Sequence, residues 1–143
     1  MLFLYLYMKE IKNRSDCPVS FSLDFLGDKW TLLILRDIII HDKSTYNQFL
    51  YSAEKIATNI LADRLAMLDK HGFLTKEISA EKRSSAVYRV TEKTVDLIPI
   101  IMELNLWGAK YNPSGDQGLV DELKTDKEGT IRKYQQKFRP SSH

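Results

Sequence analysis

Residues Ile56–Leu74 read IATNILADRLAMLDKHGFL, and the spacing within this stretch decides the fold. At helical periodicity Leu61, Leu65 and Leu68 share one face, while Asn59, Ala62, Asp63, Ala66 and Lys70 share the other. Gly72 stands just past the last periodic position, where a left-handed C-cap is expected. The stretch predicts a helix with one apolar side and one side of short or polar groups. That is either an ordinary surface helix or a helix shaped to enter a narrow slot, such as the major groove of B-DNA. The flanking residues decide between the two.

Upstream, Thr45 and Gln48 match the Thr-x-x-Gln capping box. They predict a short helix from Thr45 or Tyr46 to Ser52 that buries Phe49, with Tyr46 alongside. Ala53-Glu54-Lys55 then turns tightly into the stretch quoted above. Two short helices joined in this way form the helix-turn-helix arrangement, whose second helix lies in the major groove while the first braces it. Before them, Pro18 suits a first helical position. Leu23, Leu26, Trp30, Leu33, Ile34 and Ile38 recur at spacings of three and four. Gly27 inside that run costs about 1 kcal/mol relative to Ala, which predicts two helices meeting there with Asp28 capping the second. Trp30 is expected in the core.

Downstream of Gly72 the period changes to two. Leu74, Lys76 and Ile78 alternate with Thr75 and Glu77, and Ala86, Tyr88 and Val90 alternate with Val87 and Arg89. Both runs predict half-buried strands. The polar tip between them carries Lys82 and Arg83, placed to reach phosphate or the minor groove, or simply water. A hairpin directly after a helix-turn-helix is the winged-helix plan. Thr91 is a plausible N-cap for a broad apolar helix containing Val95, Leu97, Ile98, Ile101, Met102, Leu104, Trp107 and Tyr111. Pro99 lacks the amide needed in a helix interior, so a short helix ends before it and a longer one begins, or one helix kinks. The apolar surface exceeds what a small wing-bearing domain can cover, which predicts a dimer interface; packing wholly on the first helix is the alternative.

The fold class expected is therefore mostly α with a small β-hairpin wing: a winged helix-turn-helix, dimeric through its terminal helices. Residues 1–16 form an N-terminal arm, packed on the body or at the dimer interface. The winged domain runs over 17–111, with its dimerisation helix at 95–111, and 112–143 is a charged tail, weakly helical or flexible. The 143 residues are 43% hydrophobic and 28% charged, as in a globular protein. A net charge of +2 is too small to argue for nucleic acid by itself. His41, His71 and His143 are scattered and Cys17 is the only cysteine, so neither a metal site nor any cofactor is expected. The apolar opening MLFLYLYM is eight residues long, far short of a membrane span, and lacks a basic leader, so a cytoplasmic protein is expected. Translation from Met8 would omit most of it.

Cys17-Pro18, the run Gly27-Asp28-Lys29-Trp30-Thr31-Leu32-Leu33-Ile34-Leu35-Arg36 and Tyr46-Asn47-Gln48-Phe49 together resemble the opening of the HxlR-type helix-turn-helix regulators, a branch of the MarR-like winged-helix proteins. Ile56–Leu65 resembles their recognition helix. His71-Gly72-Phe73-Leu74 and Tyr88-Arg89-Val90-Thr91-Glu92-Lys93 resemble their wing and its exit, and Pro99 with Trp107-Gly108 their terminal dimerisation helix. The resemblance covers Cys17 to Tyr111. It implies a homodimer on a pseudo-palindromic operator in double-stranded DNA, and no catalysis. Ala57 stands where the family often has serine, Thr58 where it often has proline and Thr94 where it often has glycine; Thr58 is then a candidate cap.

On this reading Thr58, Asn59, Ala62 and Asp63 lie nearest the base edges. Asn59 suits paired hydrogen bonds to adenine. Asp63 either accepts from cytosine or pairs with a base-reading arginine. Arg64 on the flank contacts phosphate or bridges to a carboxylate of the fold, and Thr45 and Lys55 are candidate phosphate contacts. Leu97, Ile98, Ile101, Leu104, Trp107 and Tyr111 are the candidate dimer interface. Cys17 is either a small buried apolar group or a sensor, since a helix N-terminus favours thiolate; some members of the family it resembles sense oxidants, quinones or aldehydes through a cysteine at this position. A small thiol-reactive effector would then be a partner; no membrane partner is expected. The alternative function is a winged-helix protein-interaction module without DNA.

Overall fold

A computed structural model describes residues 8–78, 86–113, 115 and 117–140. The chain forms two compact units, residues 1–89 and 90–143. The boundary thus falls at the end of the hairpin, whereas the sequence suggested one domain through residue 111.

In the first unit, α1 (Pro18–Leu26) and α2 (Lys29–His41) meet at Gly27. Asp28 caps α2, accepting from the amides of Trp30 and Thr31 at 3.1 and 3.0 Å. The expected division of the long apolar run is therefore present. Leu23 is exposed, and Trp30 is only half-buried, with the Lys29 ammonium 5.4 Å from its ring centre. The capping box starts α3 (Tyr46–Leu50): Thr45 Oγ1 accepts from the Gln48 amide, and Gln48 Oε1 accepts from the Thr45 amide.

Helix α4 (Thr58–Lys70) is the quoted stretch. Leu61, Leu65 and Leu68 are buried with Ile34, Leu35, Ile38, Ile39 and Phe49; each such side chain withdrawn from water contributes about 1.5–3 kcal/mol. Ala57, not Thr58, is the N-cap, and it offers no side-chain hydrogen bond. At the other end Gly72 has φ +80°, and the Phe73 amide donates to the Leu68 carbonyl at 2.9 Å, the six-to-one bond of a Schellman cap. Strands β1 (Leu74–Ile78) and β2 (Ala86–Val90) pair as the wing. Thr45 also bridges antiparallel to Val87. The hairpin tip with Lys82 and Arg83 lies outside the described residues.

In the second unit, α5 (Glu92–Val95) ends before Pro99, and α6 (Ile98–Tyr111) begins with it in the first turn. Of Pro99's two readings, the pair of helices is the one observed. The expected weak tail forms α7 (Gln117–Thr125) and α8 (Lys127–Phe138), which pack on each other and on α6. Val120 and Leu123 are buried with Val95, Ile98, Ile101 and Met102. Two helices this short are marginal alone; burial of their few apolar residues against α6 holds them.

Candidate nucleic-acid interface

The start of α4 is exposed to solvent. Lys55, Ala57, Thr58 and Asn59 are exposed, while Leu61, two residues further on, is fully buried. The helix thus stands on its leucines and offers its first turn to solvent. That turn also carries the positive end of the helix dipole, which favours phosphate.

The turn before it is held by charge. Arg36 of α2 forks onto Glu54, Nη1 and Nη2 each donating to one carboxylate oxygen at 2.8 Å. Arg36 Nε and Nη2 also donate to Asp37 Oδ1 at 3.0 and 2.7 Å. Asp37 is buried and accepts from the Ser52 hydroxyl and the Lys43 ammonium. The Arg36 fork brings the Glu54 carboxyl down to about 2 from 4.5, against the opposing effect of burial. Lys55 follows in the left-handed region, φ +56°, its amide bonded to the Ser52 carbonyl at 3.0 Å. Tyr46 of α3 donates from its hydroxyl to the Thr58 carbonyl at 3.3 Å, bracing the first turn of α4.

Of the residues singled out in the sequence, Lys55, Thr58 and Asn59 lie together on the exposed rim. Ala62 and Thr45 are half-buried beside them. Asp63 and Arg64 are not on that rim. The Asp63 carboxylate accepts from the Lys9 amide at 2.9 Å and from Arg64. Arg64 Nε donates to Asp28 at 3.1 Å. Asp63 is therefore corrected from a base-edge position to an internal one, and of Arg64's two readings the bridge to a carboxylate is the one formed. The physical reason is tertiary: the segment carrying Lys9 and the Asp28 cap of α2 come onto this part of the polar face and draw its charges inward.

Tyr51, which the sequence reading passed over, is 86% exposed at the end of α3. An aromatic residue with no apolar neighbour at helical spacing was the available signal. Lys9 was missed as well, because nothing local marks a lysine in an irregular segment as a partner of residues far along the chain.

Cys17 is exposed at the N-cap of α1, so the buried apolar reading is withdrawn. It lines an open hollow of about 700 Å³ with Lys9, Lys12, Arg14, Asp24 and Asp28. In the second unit Ile98 and Ile101 are buried within the chain and drop out of the expected dimer surface; Leu97 is half-buried. Leu104, Trp107 and Tyr111 remain exposed, at 48%, 67% and 66%, with Ile100 beside them. Pro99, Ile100, Glu103, Leu104 and Trp107 line an apolar hollow of about 630 Å³. Among the described residues no helix is long and apolar enough to cross a membrane.

Known proteins agree with this geometry. Residues 25–116 match the HxlR-like helix-turn-helix family model. The chain is 31% identical over 101 residues to the HTH-type transcriptional regulator YdeP of Bacillus subtilis, covering 71% of this chain and 78% of that protein. Among solved structures it is similar to PA1607, described as a candidate transcription factor, at 35% identity and a TM-score of 0.62 over 72% of each chain. The reduced form of YodB, a transcriptional regulator from B. subtilis, shares the fold at 24% identity and a TM-score of 0.54, over 71% of this chain and 100% of that one. With a presented helix start, a braced turn and a paired wing, the chain belongs to the HxlR-like helix-turn-helix family of DNA-binding transcription regulators.

Proposed function

We propose that the protein binds a pseudo-palindromic operator as a homodimer, with the start of α4 from each protomer in successive major grooves, about 34–36 Å apart. The observation that carries this reading is the exposed set Lys55, Thr58 and Asn59 on a helix whose opposite face is fully buried. Asn59 is assigned to a base edge, worth about 1–3 kcal/mol of discrimination. Thr58 and Ala62 are assigned beside it at the base edges, Lys55 and Thr45 to the DNA backbone, and Lys82 and Arg83 to phosphate or the minor groove. The exposed Leu104, Trp107 and Tyr111 support the dimer. Such a regulator works in the compartment that holds its DNA, the cytoplasm. The exposure of Cys17 supports a second component: a thiol-reactive effector that modifies Cys17 and changes operator affinity.

Mobility shifts with fragments selected from the source genome test this. Binding should fall steeply with salt, and Asn59→Ala and Arg83→Ala should each weaken it. A thiol-reactive reagent should alter binding by the wild type and leave Cys17→Ser unaffected. Unchanged binding in both Asn59→Ala and Arg83→Ala would remove the assigned face. No affinity for any duplex at low salt would favour a protein-interaction module instead.

A further inference from the structure

Asp63 and Arg64, turned away from the exposed rim, take part in a closed ring of hydrogen bonds in which Asp63, Arg64, Asp28 and the Lys9 ammonium alternate in charge and the Lys9 backbone amide closes back onto Asp63. The Lys9 amide donates to Asp63 Oδ1 at 2.9 Å, and the Lys9 ammonium donates to Asp28 Oδ2 at 2.7 Å and to the Phe25 carbonyl at 3.1 Å. Arg64 returns from α4 to Asp28 Oδ1 at 3.1 Å and to Asp63 Oδ2. All four side chains keep only 16–22% of their surface exposed, where charge pairs are screened less than in open solvent. Burial disfavours charge on Asp28, but hydrogen bonds from Lys9, Thr31 and Arg64 outweigh it and hold the carboxyl well below the usual range. The same Asp28 caps α2. The ring therefore joins three elements: the segment before α1, the start of α2 and the second turn of α4.

Its place on α4 matters. The ring grips the helix one turn beyond Asn59, so it fixes rotation about the helix axis. A rotation of roughly 20° moves an atom at the outer radius of about 5–6 Å by about 2 Å, enough to break a paired hydrogen bond to a base. We propose that Lys9 is a positioning residue for DNA recognition. By closing the ring it sets the rotation of α4, and with it the sequence-specific part of affinity rather than the electrostatic part. This rests on the DNA-binding reading above.

Lys9→Met keeps the backbone amide and removes the ammonium, while Lys9→Arg keeps the charge. Each is titrated against the selected operator and a non-specific duplex over a salt series, and amide exchange across Thr58–Lys70 is measured in the free protein. Lys9→Met should weaken operator binding about tenfold, the scale of one charge-assisted hydrogen bond. Non-specific affinity and the salt slope should hold, and early-α4 exchange should quicken. Lys9→Arg should behave as the wild type, and the losses from Lys9→Met and Arg64→Met should be non-additive. An equal loss on both duplexes, with a salt slope smaller by about one, would make Lys9 a phosphate contact and overturn the proposal. So would unchanged operator binding. If the wild type binds no duplex, the DNA reading fails by that control alone, and unchanged exchange in Lys9→Met would separately dispose of the ring's role.

Discussion

At the scale of single residues, Glu54 shows how the turn before α4 is fixed. Its carboxylate receives both arms of the Arg36 fork, a geometry that lysine at the same position could not reproduce. The folded protein holds Glu54 at about 2 against an ordinary 4.5. A carboxyl lowered on folding stabilises fully above its unfolded value, and that contribution is lost as pH falls through the folded one. Glu54→Gln should therefore cost about 1–2 kcal/mol at neutral pH. In urea unfolding followed from pH 7 downward, the gap from the wild type should close between pH 4.5 and 2. A gap independent of pH would mean that packing, not charge, holds the turn.

At the scale of elements, two junctions depend on glycine for different reasons. Gly72 has φ +80° and open space around it, so only backbone conformation excludes a side chain there. Gly27 has an ordinary φ of −76°, but a Cβ would lie 2.4 Å from the Leu23 carbonyl oxygen. Space excludes it, and that close approach lets α1 stop and α2 start within two residues. Gly72→Ala should cost about 1 kcal/mol, and Gly72→Asn less, because asparagine tolerates the left-handed region. Gly27→Ala should cost about 1–3 kcal/mol, with no relief from asparagine. Thermal unfolding of the four variants separates the two causes; a neutral Gly27→Ala would show that the junction can shift without penalty.

At the scale of the whole molecule, the question is what covers the outer face of α6. Its inner residues Ile98, Ile101 and Met102 are buried within the chain, and α7 and α8 pack on the helix. Trp107 and Tyr111 pack with their rings tilted and their centres 5.1 Å apart and yet stay exposed, an apolar patch of the kind that marks an interface. Trp107→Glu should shift the protein toward monomer in sedimentation equilibrium and weaken binding to a two-half-site operator more than to a single half-site. Its folding should be intact, since the ring is two-thirds exposed. Ile101→Ala should instead lower stability by about 2–5 kcal/mol through the cavity it leaves. A Trp107→Glu protein with unchanged mass in solution would remove this face from the proposed dimer.

Periodicity and cap chemistry in the chain were enough to determine the helix-turn-helix, the split at Gly27, the capping box at Thr45 and the wing strands, because each is written in residues close together; at Pro99 they left a break and a kink both open. Periodicity also put Asn59 on the outer face, while Lys55 and Thr58 followed from the helix-turn-helix reading. Tertiary structure alone decided the rest. Local spacing assigns Asp63 and Arg64 to a polar face, but only the approach of Lys9 and Asp28, from 54 and 36 residues away, decides that this part of the face is turned inward. In the same way α7 and α8 have too few apolar residues to declare themselves, and α6 cannot say by itself which side its neighbours will bury. Short-range pattern fixes what an element is; long-range contact fixes which of its faces remains available for binding.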